Sequence, residues 1–171
     1  MSTVLLVIDL QNDYFPDGKF PLWNTENTLN NVVSAIEKAL SRHIPVIIIQ
    51  HIADSSAGIA PFFNAGTTGA EVHPRILASA PGAPLVIKQF ADSFVKTDLE
   101  DILTRLGATE LFVCGMMTQN CVTHTAISKS AEKYKVSILS DCCTTVDAMI
   151  HNIALHALTT RITLVPLSEA L

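Results

Sequence analysis

The 171-residue sequence predicts one α/β domain spanning residues 1–171, a Rossmann-like three-layer α/β/α sandwich around a mostly parallel six-stranded sheet. Three observations predict it. Short aliphatic runs alternate with helix-period segments along the whole chain. The runs lack polar and apolar alternation, as strands covered on both faces do. No linker, low-complexity tract or internal repeat divides the chain.

The first run, VLLVI (Val4–Ile8), leads directly into Asp9. Ligands of open α/β sheets sit beyond the carboxyl ends of the strands, which places Asp9 where chemistry is done. An Asp at a strand end also serves as a turn cap, and the run alone does not separate the two roles. Next, NTENTLNNVVSAIEKALSRHIP carries Leu29, Val32, Val33, Ile36 and Leu40 at helical spacing, with Asn24 or Thr25 as the cap. VIIIQ is the second strand. Residues 53–84 hold four prolines and four glycines with no sustained period, and a loop of that length in a compact domain is usually functional. PLVIK is the third strand and ends at Lys88. In TDLEDILTRLG, Thr97 caps a short helix, Glu100 completes a capping box and Gly107 ends it. ELFVCG is the fourth strand, followed by the turn MMTQN and a helix from about Cys121 to Lys133. KVSILSD, a helix over Val146 to Thr159, and the strand ITLVP complete the chain.

Composition narrows the function. Hydrophobic residues make up 49% of the chain and charged residues 16%, which excludes disorder. So much apolar surface on a small domain leads us to expect a second subunit over part of it. The net charge of -5 comes with no basic stripe, which argues against a nucleic-acid or anionic-membrane partner and for a small-molecule substrate. Asp9 interrupts the first apolar run too early for a signal peptide or membrane span, so the expected location is cytoplasmic. Cys114, Cys121, Cys142 and Cys143 have neither zinc-site spacing nor disulfide density and read as free thiols. Without a G-x-G-x-x-G, no dinucleotide is indicated, and no cofactor is expected.

At the strand ends, the topology gathers a carboxylate (Asp9), an ammonium (Lys88) and a thiol (Cys121) on one edge of the sheet. A thiol at the first turn of a helix is acidified by unpaired backbone donors and the dipole. A nearby carboxylate can take its proton while an ammonium steadies the anion. Each residue alone has an ordinary reading, a packed thiol or a surface lysine. Their convergence is the specific signal.

VIDLQNDYF, VIK ahead of FADSF, and CGMMTQNCVTHTA followed by SDCCTT together resemble the isochorismatase-like cysteine hydrolase family, in order and over nearly the whole chain. The resemblance implies a catalytic triad of Asp9, Lys88 and Cys121 and a non-proline cis peptide between Met116 and Met117. It also implies an oligomer, either a homodimer or a homotetramer. Family members that hydrolyse nicotinamide carry a metal-binding Asp-x-His after the second strand, where this chain has QHIAD. His51, Asp54 and His73 do not match that spacing, and TTGAEVHP resembles the metal-independent bacterial branch, so no metal is expected.

The expected reaction is hydrolysis of a carboxamide or similar C-N bond through a Cys121 thioester, with the backbone N-H groups of Met117 and Cys121 as oxyanion hole. Phe15, Trp23, His51 and Phe62 are candidates for lining the substrate pocket. His124, one turn beyond Cys121, is aimed away from the nucleophile. Cys114 reads as inert, while Cys142 or Cys143 can approach the pocket. Two other readings stay open: a vinyl-ether hydrolase using Asp9 without covalent catalysis, and a non-catalytic binding or assembly module.

Overall fold

The computed structural model describes residues 2–171. Its strands are β1 (Ser2–Ile8), β2 (Val46–His51), β3 (Leu85–Lys88), β4 (Ala108–Met116), β5 (Lys135–Thr144) and β6 (Thr163–Val165). They lie in the order β3-β2-β1-β4-β5-β6. Every neighbouring pair is parallel, so the sheet expected to be mostly parallel is wholly so. The chain builds outward from β1 to β3, then returns to the other side of β1 and builds outward again. The reversal falls between β1 and β4, and this switch point opens the crevice where open α/β sheets hold their ligands. Central position explains the unbroken VLLVI run, for Val4–Ile8 are all fully buried.

Six helices cover the sheet: α1 (Thr25–Ser41), α2 (Pro74–Ser79), α3 (Leu99–Arg105), α4 (Thr123–Ala126), α5 (Ala148–Leu158) and α6 (Leu167–Ala170). Helix α1 buries Leu29, Val32, Ala35, Ile36 and Ala39 on one stripe. Asn24 is its N-cap, in a left-handed conformation and without a side-chain capping bond. Helix α5 is capped by Asp147, whose carboxylate accepts from the Ile150 N-H. The capping box expected at α3 does not form. Asp98 takes the cap position, the Thr97 hydroxyl donates to the Ser93 carbonyl, and Glu100 pairs with Lys133 instead.

The helix expected over Cys121 to Lys133 is broken into three pieces. Thr118–Val122 forms a π turn, α4 is a single turn, and Lys129–Ala131 is a separate 3-10 turn. Hydroxyl groups compete with the helix for backbone partners here. Thr123 donates back to the Thr118 carbonyl, and Ser128 accepts from the Ser130 N-H to start the 3-10 turn. The long segment 53–84 is likewise not bare loop: it contains α2 and two 3-10 turns, and Val72 bridges to Gln11. On β3, Val86 and Lys88 are buried while Leu85 and Ile87 are about half exposed, so the outer face of this edge strand is an apolar strip.

One glycine decides how closely β4 approaches β1. Gly115 lies opposite Ile8 in the β1-β4 pairing and has φ +127. A Cβ there would lie 2.0 Å from the Ile8 carbonyl oxygen. Because Gly115 has none, the cis Met116-Met117 peptide sits beside the end of β1. We expect Gly115→Ala to cost roughly 3 kcal/mol or more in urea unfolding, since strain and a backbone clash act together. Gly107→Ala, at φ +62 with open space around it, should cost only about 1–2 kcal/mol, the left-handed penalty alone. Equal losses at the two positions would show that the β1-β4 approach is not the constraint.

Candidate active site

Three strand ends and one turn build the site. Asp9 has φ +55, a left-handed conformation that Asp tolerates better than most residues. Its N-H is held by the Ile49 carbonyl of β2 at 3.0 Å, and its side chain is fully buried. Lys88, the last residue of β3, pairs in register with His51, the last residue of β2. Cys121 arrives on the π turn after β4.

The Lys88 ammonium lies at the centre. Its Nζ is 3.0 Å from Asp9 Oδ2, 2.9 Å from His51 Nδ1, 3.1 Å from the Phe90 carbonyl and 3.2 Å from Cys121 Sγ. The other Asp9 oxygen, Oδ1, is buried with no hydrogen-bond partner among the described residues. An ammonium and a carboxylate buried together hold each other in place, because either one left alone would carry an uncompensated charge.

These neighbours set the protonation states. Burial opposes charge on Lys88, yet the attraction of Asp9 and Cys121 prevails and raises its pKa, so it stays an ammonium. Burial, and then the Asp9 charge, push the Cys121 thiol well above the usual thiol range, with Lys88 pulling the other way. This differs from the acidified thiol expected at a helix start. The reason is local: Cys121 lies in a π turn ahead of a one-turn helix, too short to supply much dipole, inside a site that excludes water. Burial, then the Lys88 charge, lower His51, with Asp9 opposing. An ammonium offers no lone pair, so His51 Nδ1 must be the acceptor and the proton must sit on Nε2. Tyr14 is raised by burial first and then by the charges of Asp9 and Cys121, and remains a phenol beside the site.

Ligating atoms of Asp9, His51 and Cys121 lie within 4.8 Å of one another. Their donor set does not fit a metal, however, because Lys88 Nζ contacts all three and already holds the cation position. His51, Asp54 and His73 do not gather: Asp54 accepts from Ser56 N-H and His73 from Arg75 N-H.

An isochorismatase domain model matches residues 3–169. The chain belongs to the isochorismatase-like hydrolase family. It is 36% identical over 152 residues to the isochorismatase family protein YddQ of Bacillus subtilis, covering 89% of this chain and 83% of that one. The secreted isochorismatase effector Isc1 of Verticillium dahliae is 32% identical over 140 residues, 82% of this chain and 71% of that one. A solved isochorismatase family protein from Desulfovibrio vulgaris superposes with a TM-score of 0.89 at 25% identity, covering 99% and 96% of the two chains.

Around this isochorismatase-like site, the other sequence candidates take different partners. Of the expected pocket residues, His51 bonds Lys88 through Nδ1. Phe15 packs on His73 and lines a separate cavity of about 770 Å³ that contains none of Asp9, Lys88 or Cys121. Trp23 lies 6.0 Å from the His151 ring, and Phe62 stacks with Phe20 beside Tyr14 and Phe63. His124 is exposed and bonds the Asn120 carbonyl through its ring. Cys114, Cys142 and Cys143 are buried thiols, each raised chiefly by burial.

Several supporting residues carry no sequence signal of their role. The Gln11 amide donates to the carbonyls of His51 and Ala70 and accepts from the His51 N-H, all at 2.8 Å, acting as an extra strand residue against β2. Asp13 accepts from the N-H groups of Phe63 and Lys19. His151 of α5 bonds the Thr118 hydroxyl at 2.8 Å and so ties down the turn that carries Cys121. The polar run Gln11-Asn12-Asp13 directly after a buried strand was the one available hint.

Burial lowers His151 as well as His51. Both groups therefore stabilise the fold fully above the unfolded histidine value near ~6.5, and that contribution is lost as pH falls toward their lower folded values. The melting temperature should be level from about pH 8 to 7 and fall below about pH 6.5, where the unfolding free energy drops by at most roughly 1.4 kcal/mol per pH unit for each group. His151→Gln should flatten that slope. A wild-type melting temperature unchanged down to pH 5.5 would contradict the assignment of neutral buried rings.

Proposed function

We propose that the protein hydrolyses a carboxamide or similar C-N bond of a small molecule, with Asp9, Lys88 and Cys121 as catalytic residues and a Cys121 thioester as intermediate. The observation that carries this reading is one ammonium in contact with both a carboxylate and a thiol, with the second carboxylate oxygen left free. Relatives named nicotinamidase, from Arabidopsis thaliana and Escherichia coli, are 29% and 28% identical, and one named streptothricin hydrolase, from Streptomyces noursei, is 30% identical.

The raised thiol is compatible with this chemistry. Loss of the Cys121 proton to solvent would leave two anions around one ammonium in a buried site. Transfer to Asp9 instead moves a single negative charge from one Lys88 partner to the other, and the site keeps its net charge. The thiolate then attacks the carbonyl carbon, and the oxyanion is received by the backbone N-H groups of Met117 and Cys121. Asp9 gives the proton to the departing amine. Water, deprotonated by Asp9, attacks the thioester, the acid leaves, and the thiol is restored. Asp9, Lys88 and Cys121 are nearly wholly buried, so substrate must displace covering side chains to reach the sulfur. The burial also keeps bulk water from the charges while the proton moves.

A screen of small amides with ammonia release as the readout identifies substrates. On the best of them, Cys121→Ser should keep the wild-type melting temperature within a few degrees. Its turnover should fall by roughly a hundred- to ten-thousandfold or more, the range for lost nucleophile and acid-base function. Retained amide turnover in Cys121→Ser would refute the thioester. Hydrolysis of a vinyl ether that survives this substitution would establish the non-covalent reaction instead.

A further inference from the structure

Lys88 has more acceptors than protons. An ammonium carries three N-H bonds, yet Nζ is within bonding distance of Asp9 Oδ2, His51 Nδ1, the Phe90 carbonyl and Cys121 Sγ. Two of the four are not free to yield. The Phe90 oxygen is main chain, and Asp9 bonds Lys88 through Oδ2, so a proton taken from Cys121 onto the unpartnered Oδ1 leaves Oδ2 an acceptor. The remaining proton is contested between His51 and Cys121. A thiol sulfur is a weak acceptor and loses to an imidazole nitrogen, whereas a thiolate carries full charge and wins.

We propose that His51 is a positioning residue that holds the third Lys88 proton while Cys121 is a thiol and releases it to the sulfur when the thiolate forms. This rests on Cys121 being the nucleophile. His51 thereby restrains the resting thiol, since ionisation has to break the Lys88-His51 bond. Once the sulfur is acylated and neutral, the proton returns to His51, and the exchange repeats when the thioester collapses. Gln11 makes the arrangement stiff, because its amide clamps both the N-H and the carbonyl of His51 at 2.8 Å. The ionisable groups facing the sulfur from the surrounding elements are Asp9 and Tyr14 on the segment after β1, His51 on β2 and Lys88 on β3.

The test compares iodoacetamide alkylation of Cys121, mapped by peptide, in wild type, His51→Leu and His51→Asn at one neutral pH. Leu removes the acceptor, whereas Asn can place Oδ1 where Nδ1 was. His51→Leu should react about three- to tenfold faster, the change equivalent to one hydrogen bond of ordinary net strength. His51→Asn should stay within about twofold of wild type on the same grounds. An equal gain in both variants would mean better access and would overturn the proposal, as would an unchanged or slower His51→Leu. Preferential labelling of Cys114 or Cys142 would instead refute the nucleophile assignment itself. Should His51→Leu not fold, nitrogen NMR of wild-type His51 decides. An unprotonated, hydrogen-bonded Nδ1 in the resting protein that loses its donor when Cys121 ionises supports the exchange, and a ring protonated at Nδ1 or unresponsive to that ionisation ends it.

Discussion

A buried ammonium is the constraint from which the rest of this site follows. Lys88 has no exposed surface on its side chain, so its charge has to be matched by protein groups rather than water. Asp9 supplies the opposite charge, and the Phe90 carbonyl and His51 ring supply further acceptors. Cys121 is the neutral member that can become charged. A surface lysine at the end of an edge strand would organise none of this. Burial converts it into a fixed cation whose partners are bound to one geometry.

The sheet exists in the form needed to assemble that cation's shell. β1, β2 and β3 lie side by side, with Asp9 directly after β1 and His51 and Lys88 ending β2 and β3 at one edge. β4 brings the fourth group from the other side of the switch point, and Gly115 lets it come close enough. His151 and Gln11 then hold the two flexible parts, the Thr118–Val122 turn and the end of β2. The same shell explains why a strained Asp9 backbone is tolerated at φ +55: its carboxylate is held by the Lys88 ammonium and its N-H by the Ile49 carbonyl, and Lys88 would lose its counter-charge if it moved.

The fold was legible in the chain because buried parallel strands write themselves as aliphatic runs, and the six runs survive in the structure as six strands. Asp9 and Lys88 were legible for a related reason, as charged residues at the ends of apolar runs, and Cys121 as a thiol delivered by the turn after the fourth run. The helix after Cys121 was misread because periodicity does not register hydroxyls that divert the backbone, as Thr123 and Ser128 do. The thiol was misjudged because its environment depends on burial and on Asp9 and Lys88, residues far away in sequence, which no local pattern around Cys121 records. His51 was identified as a pocket residue but not as a Lys88 partner, since the contact spans residues far apart in sequence and depends on the β2-β3 register. Phe15, Trp23 and Phe62 take partners that composition does not record: His73 and a separate cavity for Phe15, the His151 ring for Trp23, and Phe20 beside Tyr14 for Phe62.

The central claim is that Asp9 and Lys88 are needed as a charged pair, and a double-mutant cycle in urea tests it most directly. Lys88→Met strands a buried carboxylate, and Asp9→Asn strands a buried ammonium, each expected to cost about 3–5 kcal/mol. In the double variant both charges are gone, and the loss should be smaller than the sum of the single losses by roughly 3 kcal/mol. Losses that simply add, within about 0.5 kcal/mol, would show that the two groups act independently and that the ammonium is not what the site is built around.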